Sequence, residues 1–261
     1  MNDKFLKAIV SNRKDLEKDL PLLAKSKKKI KNRLYFGKNV KVEPNVFFDT
    51  SGGIILIDND TKIKAGSVLR GPLLIGKHCT VNCFTEISVS RIGDVCKIGG
   101  EIENVVMQSY SNKQHYGYLG HSYIGRFVNI GGGTSIATLK NTYSSIKMAG
   151  LDTGLQFLGC IIGDYSKTAI NTSIFCGKVI GVSSHLYGTV TEDVPSFSIH
   201  VRPGVLYELP LKLAEKIQEA MAKRRNVKFT DEDKKNFAKL FEESKKDREK
   251  AKVKKGKLSF K

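Results

Sequence analysis

The 261 residues are enough for one large domain or two modest ones with a proper core, and no run approaches the roughly 18 uninterrupted apolar residues that a membrane span requires. Five cysteines, at 79, 83, 96, 160 and 176, lack paired CxxC spacing, which argues for reduced thiols over a disulfide framework or a cysteine zinc site. The net charge of +18 is located at the ends: residues 1–41 and 211–261 carry +9 each, and the 169 residues between them balance.

The N-terminal segment MNDKFLKAIVSNRKDLEKD has early acids and no long apolar stretch, so it does not read as a secretory signal. A soluble cytoplasmic protein is expected. Residues 2–24 place Phe5, Leu6, Ile9, Val10, Leu16 and Leu20 at helical spacing and predict a helix ending near Pro21. The basic ends could hold RNA, anionic lipid or an acidic partner. Acids interspersed among the lysines, with few aromatics, favour solvated helices instead, so nucleic acid is not the preferred reading.

From Ile57 an aliphatic residue recurs every sixth position: Ile57, Ile63, Leu69, Ile75, Val81, Ile87. After a one-residue slip the series resumes at Ile92 and Ile98, then at Ile124, Ile130 and Ile136, and finally at Ile162, Thr168, Ile174, Ile180 and Leu186. A helix would repeat at three and four, and a lone strand at two. Period six suits a coil of short straight sides and tight corners, each side sending one large aliphatic inward and each coil burying the next. The fold expected is mainly β, a parallel β-helix with flanking helices. The series breaks over 99–123, which keeps β character, and over 137–161, which reads as a loop thrown out of one coil. Loops leaving a regular scaffold carry function, which directs the search to residues 100–160.

Near the C-terminus, Leu213, Ile217, Ala220 and Met221 form one stripe. Thr230 reads as an N-cap with Asp233 in an imperfect capping box, and Phe237, Leu240 and Phe241 give the following helix an apolar side. Beyond about residue 245 a frayed or disordered tail is expected. The organisation expected is a basic helical segment at 1–36, a β-helical domain at 37–207 with a loop insertion at about 137–160, and basic helices and tail at 208–261.

The segment YSNKQHYGYLGHSYIGRFVNIGGGTSIATLKNTY is similar to the acetyltransferase domain of the bifunctional enzymes that make UDP-N-acetylglucosamine, within the hexapeptide-repeat acyltransferase family. The likeness to a subgroup of sugar nucleotidyltransferase relatives, through SNKQH, GLQF, GDYSK, PSFS and RRNV, is closer still, and it covers about residues 75–243. The resemblance implies a left-handed β-helix, a homotrimer with sites at subunit interfaces, and acetyl transfer from acetyl-CoA to an amino sugar such as glucosamine-1-phosphate, with no metal required. It implies His115 as the general base on the sugar amine, for which an imidazole titrating near neutrality is suited. It implies Tyr118, Asn129, Asn141, Tyr143 and Lys147 as substrate contacts, and a backbone N–H at Gly132 against the acetyl-CoA thioester carbonyl. Tight corner geometry explains the run Gly131, Gly132 and Gly133 equally well.

Two departures stand out. Glu103 occupies the position of a phosphate-gripping lysine, and Ser88 that of a phosphate-binding arginine, with Arg91 near enough to substitute. The nucleotidyltransferase domain of the bifunctional enzymes has no counterpart here, so a separate protein would supply that step. Two other readings compete. One is a non-catalytic trimeric scaffold or partner of a sugar nucleotidyltransferase, with basic tails binding RNA or protein. The other, less favoured, is a zinc β-helix carbonic anhydrase using His78, His115 and His121.

Overall fold

The computed structural model describes residues 2–256. Its body is a parallel β-solenoid of about nine turns, as the six-residue period predicts, with a helix before it and helices after it. Each coil lays one short strand on each of three faces. The first face runs Leu34–Phe36, Ile55–Ile57, Leu73–Ile75, Arg91–Ile92, Val106–Met107, Tyr123–Ile124, Ile161–Ile162 and Val179–Ile180, all parallel. The second face includes Lys62–Ile63, Thr80–Val81, Lys97–Ile98, Asn112–Lys113, Lys167–Thr168 and His185–Leu186, with Asn129 bridging Asn112 to Lys167. The third face includes Val68–Arg70, Glu86–Ser88, Glu101–Glu103 and Tyr118–Gly120, then Ser135–Ile136, Ser173–Ile174 and Thr189–Val190.

The inward aliphatics form one continuous core, from Leu34 through Ile63, Ile87, Ile98 and Ile124 to Leu186 and Val190. The apparent interruption after Ile98 is not a break. Ile102, Met107, Lys113 and Leu119 keep the inward register to Ile124. Here the corners shorten, so the spacing departs from six while the coil stays closed. The second interruption is a true excursion: residues 137–160 leave after Ser135–Ile136, form a small antiparallel hairpin of Lys147–Met148 with Leu151–Asp152, and rejoin at Ile161.

Helix α1 (Asn2–Ala24) buries Ile9, Asn12, Leu16, Leu20 and Ala24, a stripe at three- and four-residue steps. Leu16, Leu20 and Ala24 cover Leu56, Tyr35 and Leu74, the outward residues of the first face. The helix continues through Pro21 to Ala24, where a stop near the proline was expected. Packing of Ala24 beyond the proline outweighs the single hydrogen bond lost near a helix end.

Helices α2 (Leu211–Lys223), α3 (Asp231–Glu243) and α4 (Lys245–Lys250) close the other end. Thr230 and Asp233 make a complete, reciprocal capping box on α3. On α2 the buried residues are Ala214, Gln218, Met221 and Ala222, while Leu213 is exposed, so the face is rotated from the apolar stripe expected. The reason is its partly polar surroundings: past the C-terminus of α2, Arg225 reaches the Tyr110 carbonyl (Nε, 3.0 Å) and the side-chain oxygen of Asn112 (Nη2, 2.7 Å) on the solenoid. The tail expected to fray past residue 245 is instead ordered through 256. Arg248 is buried, pairs with Glu208 at 3.1 Å and stacks on Phe241 at 4.0 Å, and Lys254 bridges to Tyr207. Residues 257–261 of that tail lie outside the described residues.

Tyr110, Phe127 and Tyr165 stack at the corner between the first and second faces, with ring centroids 4.8 and 5.7 Å apart. Each holds a left-handed backbone (φ 67°, 54° and 65°), a conformation costly for aromatic residues and repaid by the stack. Phe237 of α3 meets Tyr165 edge-on at 5.1 Å, which joins the C-terminal helices to the corner ladder.

Candidate active site

Three turns of backbone meet at the corner between the second and third faces: Gln114–Gly117, Gly131–Thr134 and Ala169–Thr172. His115 projects from the lowest of these and is exposed. Gly132 lies in the next coil, and its carbonyl accepts from the Asn171 N–H at 2.8 Å in the coil after that. A side-chain methyl on Gly132 would come to 3.3 Å from His115 Cβ, so glycine here keeps the two turns close.

The backbone donors of this corner are unequally used. Gly131 N–H donates to Thr168 Oγ1 at 2.8 Å, and Gly133 N–H to the Tyr116 carbonyl at 3.0 Å. The Gly132 N–H between them makes no hydrogen bond among the described residues. An unpaired amide beside an imidazole is the arrangement that can hold a developing oxyanion while the ring takes a proton. Tyr116 and Ile170, both largely exposed, flank the corner with apolar surface.

Tyr118 begins the next strand of the third face and lies half-buried, its hydroxyl 3.4 Å from Glu103 Oε2. Burial first, and then the Glu103 and Glu101 carboxylates, hold its phenol above the ordinary value. Register places Glu86, Glu101 and Tyr118 in one outward column, and Ser88, Glu103 and Gly120 in the next. The ground beside Tyr118 is therefore acidic. Arg70 on the same face is taken by Asp49 (3.3 Å) and Glu86 (3.2 Å). Arg91 does not substitute for a cation here, because it sits on the first face and pairs with Asp19 of α1 at 2.8 Å.

Asn129 stands on the outer side of the second face, in register between Asn112 and Lys167. It is three residues before Gly132 and across the corner from Tyr118. Asn141, Tyr143 and Lys147 lie exposed on the excursion, where the Tyr143 carbonyl accepts from Gln156 at 3.1 Å. The structure thus brings His115 and Gly132 into contact and sets Tyr118 on the adjoining strand. The three excursion residues make no hydrogen bond to that corner among the described residues. The excursion is anchored elsewhere: Ile146, Met148 and Leu158 pack with Ile9 of α1, and Phe157 stacks on His121 at 5.9 Å.

His78, His115 and His121 occupy three different corners of the solenoid and do not converge within one chain. A cleft of about 640 Å³ lies between α2 and α3 around Asn226, Phe229 and Thr230, away from the His115 corner. Sequence reasoning missed Glu101 and Glu86, whose only signal is outward register on the third face. It also missed Lys113, which falls fifteen residues after Ile98 at an inward position.

No family model matches the chain. Among curated proteins it is 32% identical over 179 residues to the bifunctional sugar-1-phosphate nucleotidylyltransferase/acetyltransferase of Sulfurisphaera tokodaii, covering 62% of this chain and 42% of that one. It is 29% identical over 165 residues to the bifunctional protein GlmU of Trichormus variabilis, covering 62% and 29%. The chain thus spans less than half the length of these relatives. Among solved structures, the UDP-N-acetylglucosamine acyltransferase of Arabidopsis aligns over 85% of this chain and 89% of its own, with 16% identity and a TM-score of 0.39. Its six-residue frame and parallel coils make the chain a parallel β-solenoid of hexapeptide-like repeats, and over 62% of its length its sequence is similar to part of the bifunctional sugar-1-phosphate nucleotidylyltransferase/acetyltransferase of Sulfurisphaera tokodaii.

Proposed function

We propose that this chain is an N-acetyltransferase that moves acetyl from acetyl-CoA to an amino sugar, in the class of glucosamine-1-phosphate. The observation that carries the reading is the free Gly132 N–H in a turn packed on His115. The 32% identity over 179 residues to a bifunctional sugar-1-phosphate nucleotidylyltransferase/acetyltransferase supports it.

In this mechanism His115 takes the proton from the sugar ammonium, since a protonated amine has no lone pair with which to attack. The freed nitrogen adds to the thioester carbonyl, and the Gly132 N–H holds the oxyanion of the tetrahedral intermediate. Collapse breaks the carbon–sulfur bond, the CoA thiolate takes the proton held by His115 and leaves as the thiol, and the second proton of the acylated nitrogen passes to solvent, leaving the neutral amide. Tyr118 and Asn129 line the acceptor side from the two faces beside the corner. Asn141, Tyr143 and Lys147 reach an acceptor bound to a neighbouring chain of a homotrimer, in keeping with their making no hydrogen bond to the His115 corner among the described residues. The reaction is placed in the cytoplasm, ahead of a nucleotidyl transfer that consumes the acetylated sugar phosphate.

The test is CoA release from acetyl-CoA with glucosamine-1-phosphate and a panel of unphosphorylated and nucleotide-linked amino sugars. Turnover that disappears in His115→Ala, with acetyl-CoA binding retained, is the expected result. A second reading, a non-catalytic trimeric scaffold, draws on the carboxylates of Glu86, Glu101 and Glu103 beside Tyr118. No turnover with the whole panel from a folded protein would favour it.

A further inference from the structure

We propose that Lys113 is a positioning residue for His115: its buried ammonium binds the carbonyls of Gly99 and His115 and fixes the turn that presents the imidazole. The second face sends Ile63, Val81 and Ile98 inward in three successive coils, and the next inward position is Lys113. It is only 1% exposed, and no ion pair involves it among the described residues. Burying an ammonium without a carboxylate is costly, so its retention among aliphatics calls for a compensating role.

The hydrogen bonds identify that role. In other coils a hydroxyl at the end of this corner holds the corner carbonyls. Ser67 Oγ reaches Lys64 O and Asn82 O (2.9 and 2.8 Å), Thr85 Oγ1 reaches Asn82 O (2.7 Å), and Thr172 Oγ1 reaches Ala169 O (3.0 Å). At the two coils around His115 the corresponding residues are Gly100 and Gly117, which have no hydroxyl. Lys113 Nζ supplies the missing donors, 2.9 Å from Gly99 O and 2.6 Å from His115 O. Burial lowers its ammonium to about 8, and charged or neutral it remains a donor.

The rest of the turn is held as firmly. Asn82 Nδ2 donates to Gln114 O at 2.7 Å, Gly133 N–H to Tyr116 O at 3.0 Å, and Glu101 N–H to Gly117 O at 3.2 Å. From Gln114 to Gly117, successive carbonyls are each bound by a different donor, and only the His115 carbonyl depends on a charged side chain. Holding a reacting group within about half an ångström of its productive place is a recognised source of rate. The catalytic consequence rests on the proposed base role of His115; the clamp itself does not.

The experiment uses the full chain labelled with ¹³C at histidine Cε1, the His115 signal being assigned by its loss in His115→Gln. The wild type is expected to give one sharp His115 signal. In Lys113→Met, which keeps the volume and removes the donors, the signal should broaden or split. With acetyl-CoA and glucosamine-1-phosphate, kcat should fall about tenfold or more while the KM for acetyl-CoA stays within about twofold. If that variant does not fold, Asn82→Ala is read in the same two ways with the same expectation. An unchanged, single His115 signal in the folded variant overturns the clamp. A broadened signal in a protein whose His115→Ala form retains turnover would leave the clamp standing and remove the base role.

Discussion

Gly132 and His115 belong to neighbouring coils yet touch, with room at Gly132 for a hydrogen and hardly for a methyl: that methyl would sit 3.3 Å from His115 Cβ. Gly132 does not hold a left-handed backbone, so alanine is conformationally admissible there. Gly132→Ala is expected to fold, displace the His115 side chain by a few tenths of an ångström, and lower kcat by about ten- to a hundredfold. Steady-state kinetics beside a melting curve check this; full activity would separate Gly132 from the reacting centre.

The acidic ground beside Tyr118 should select against phosphorylated acceptors. Glu103 Oε2 lies 3.4 Å from the Tyr118 hydroxyl, on the exposed third face, where solvent weakens each charge. Glu103→Gln is expected to lower the KM for glucosamine-1-phosphate by roughly two- to fivefold and to raise that for unphosphorylated glucosamine, consistent with a surface interaction of up to about 1 kcal/mol. Equal effects on both acceptors would place Glu103 outside the acceptor's reach.

His185 predicts an acid-sensitive step in stability. Burial, and then the nearby Lys167 charge, lower its imidazole from 6.5 to about 4. Between those values the unfolded chain binds a proton that the folded chain refuses, so stability is intact above about 6.5 and is lost as pH falls toward 4. The loss attributable to this group is of order 3 kcal/mol at most. Urea unfolding of wild type and His185→Gln at pH 7 and pH 4.5 measures it; the variant's pH dependence should be flatter.

Ile124 is fully buried in the coil from which the excursion departs, paired in register with Met107 below and Ile162 above. Ile124→Ala leaves a cavity between stacked coils and should destabilise by about 2–5 kcal/mol. A chemical-denaturation midpoint shift below about 1 kcal/mol would mean the coils can collapse around the gap.

The six-residue recurrence of Ile57 through Ile87 and of Ile162 through Leu186 was enough to specify a parallel coil, because each inward position must be filled and each corner must turn. The α1 stripe of Ile9, Leu16 and Leu20, and the Thr230 cap, were legible for the same local reason. The motifs around His115 sit on the same repeat frame, which is what directs the search for a site to that corner. What the linear pattern could not decide is which distant residues stack. Where corners shorten at Gly99–Gly100, the period slips, and the inward placement of Lys113 follows only from the register of coil on coil. The contact of Gly132 with His115, the diversion of Arg91 to Asp19, and the burial of Arg248 against Glu208 all join residues from different coils or helices. Local spacing sets the shape of one turn; the stacking of turns, which buries donors and aligns columns, sets what each column can do.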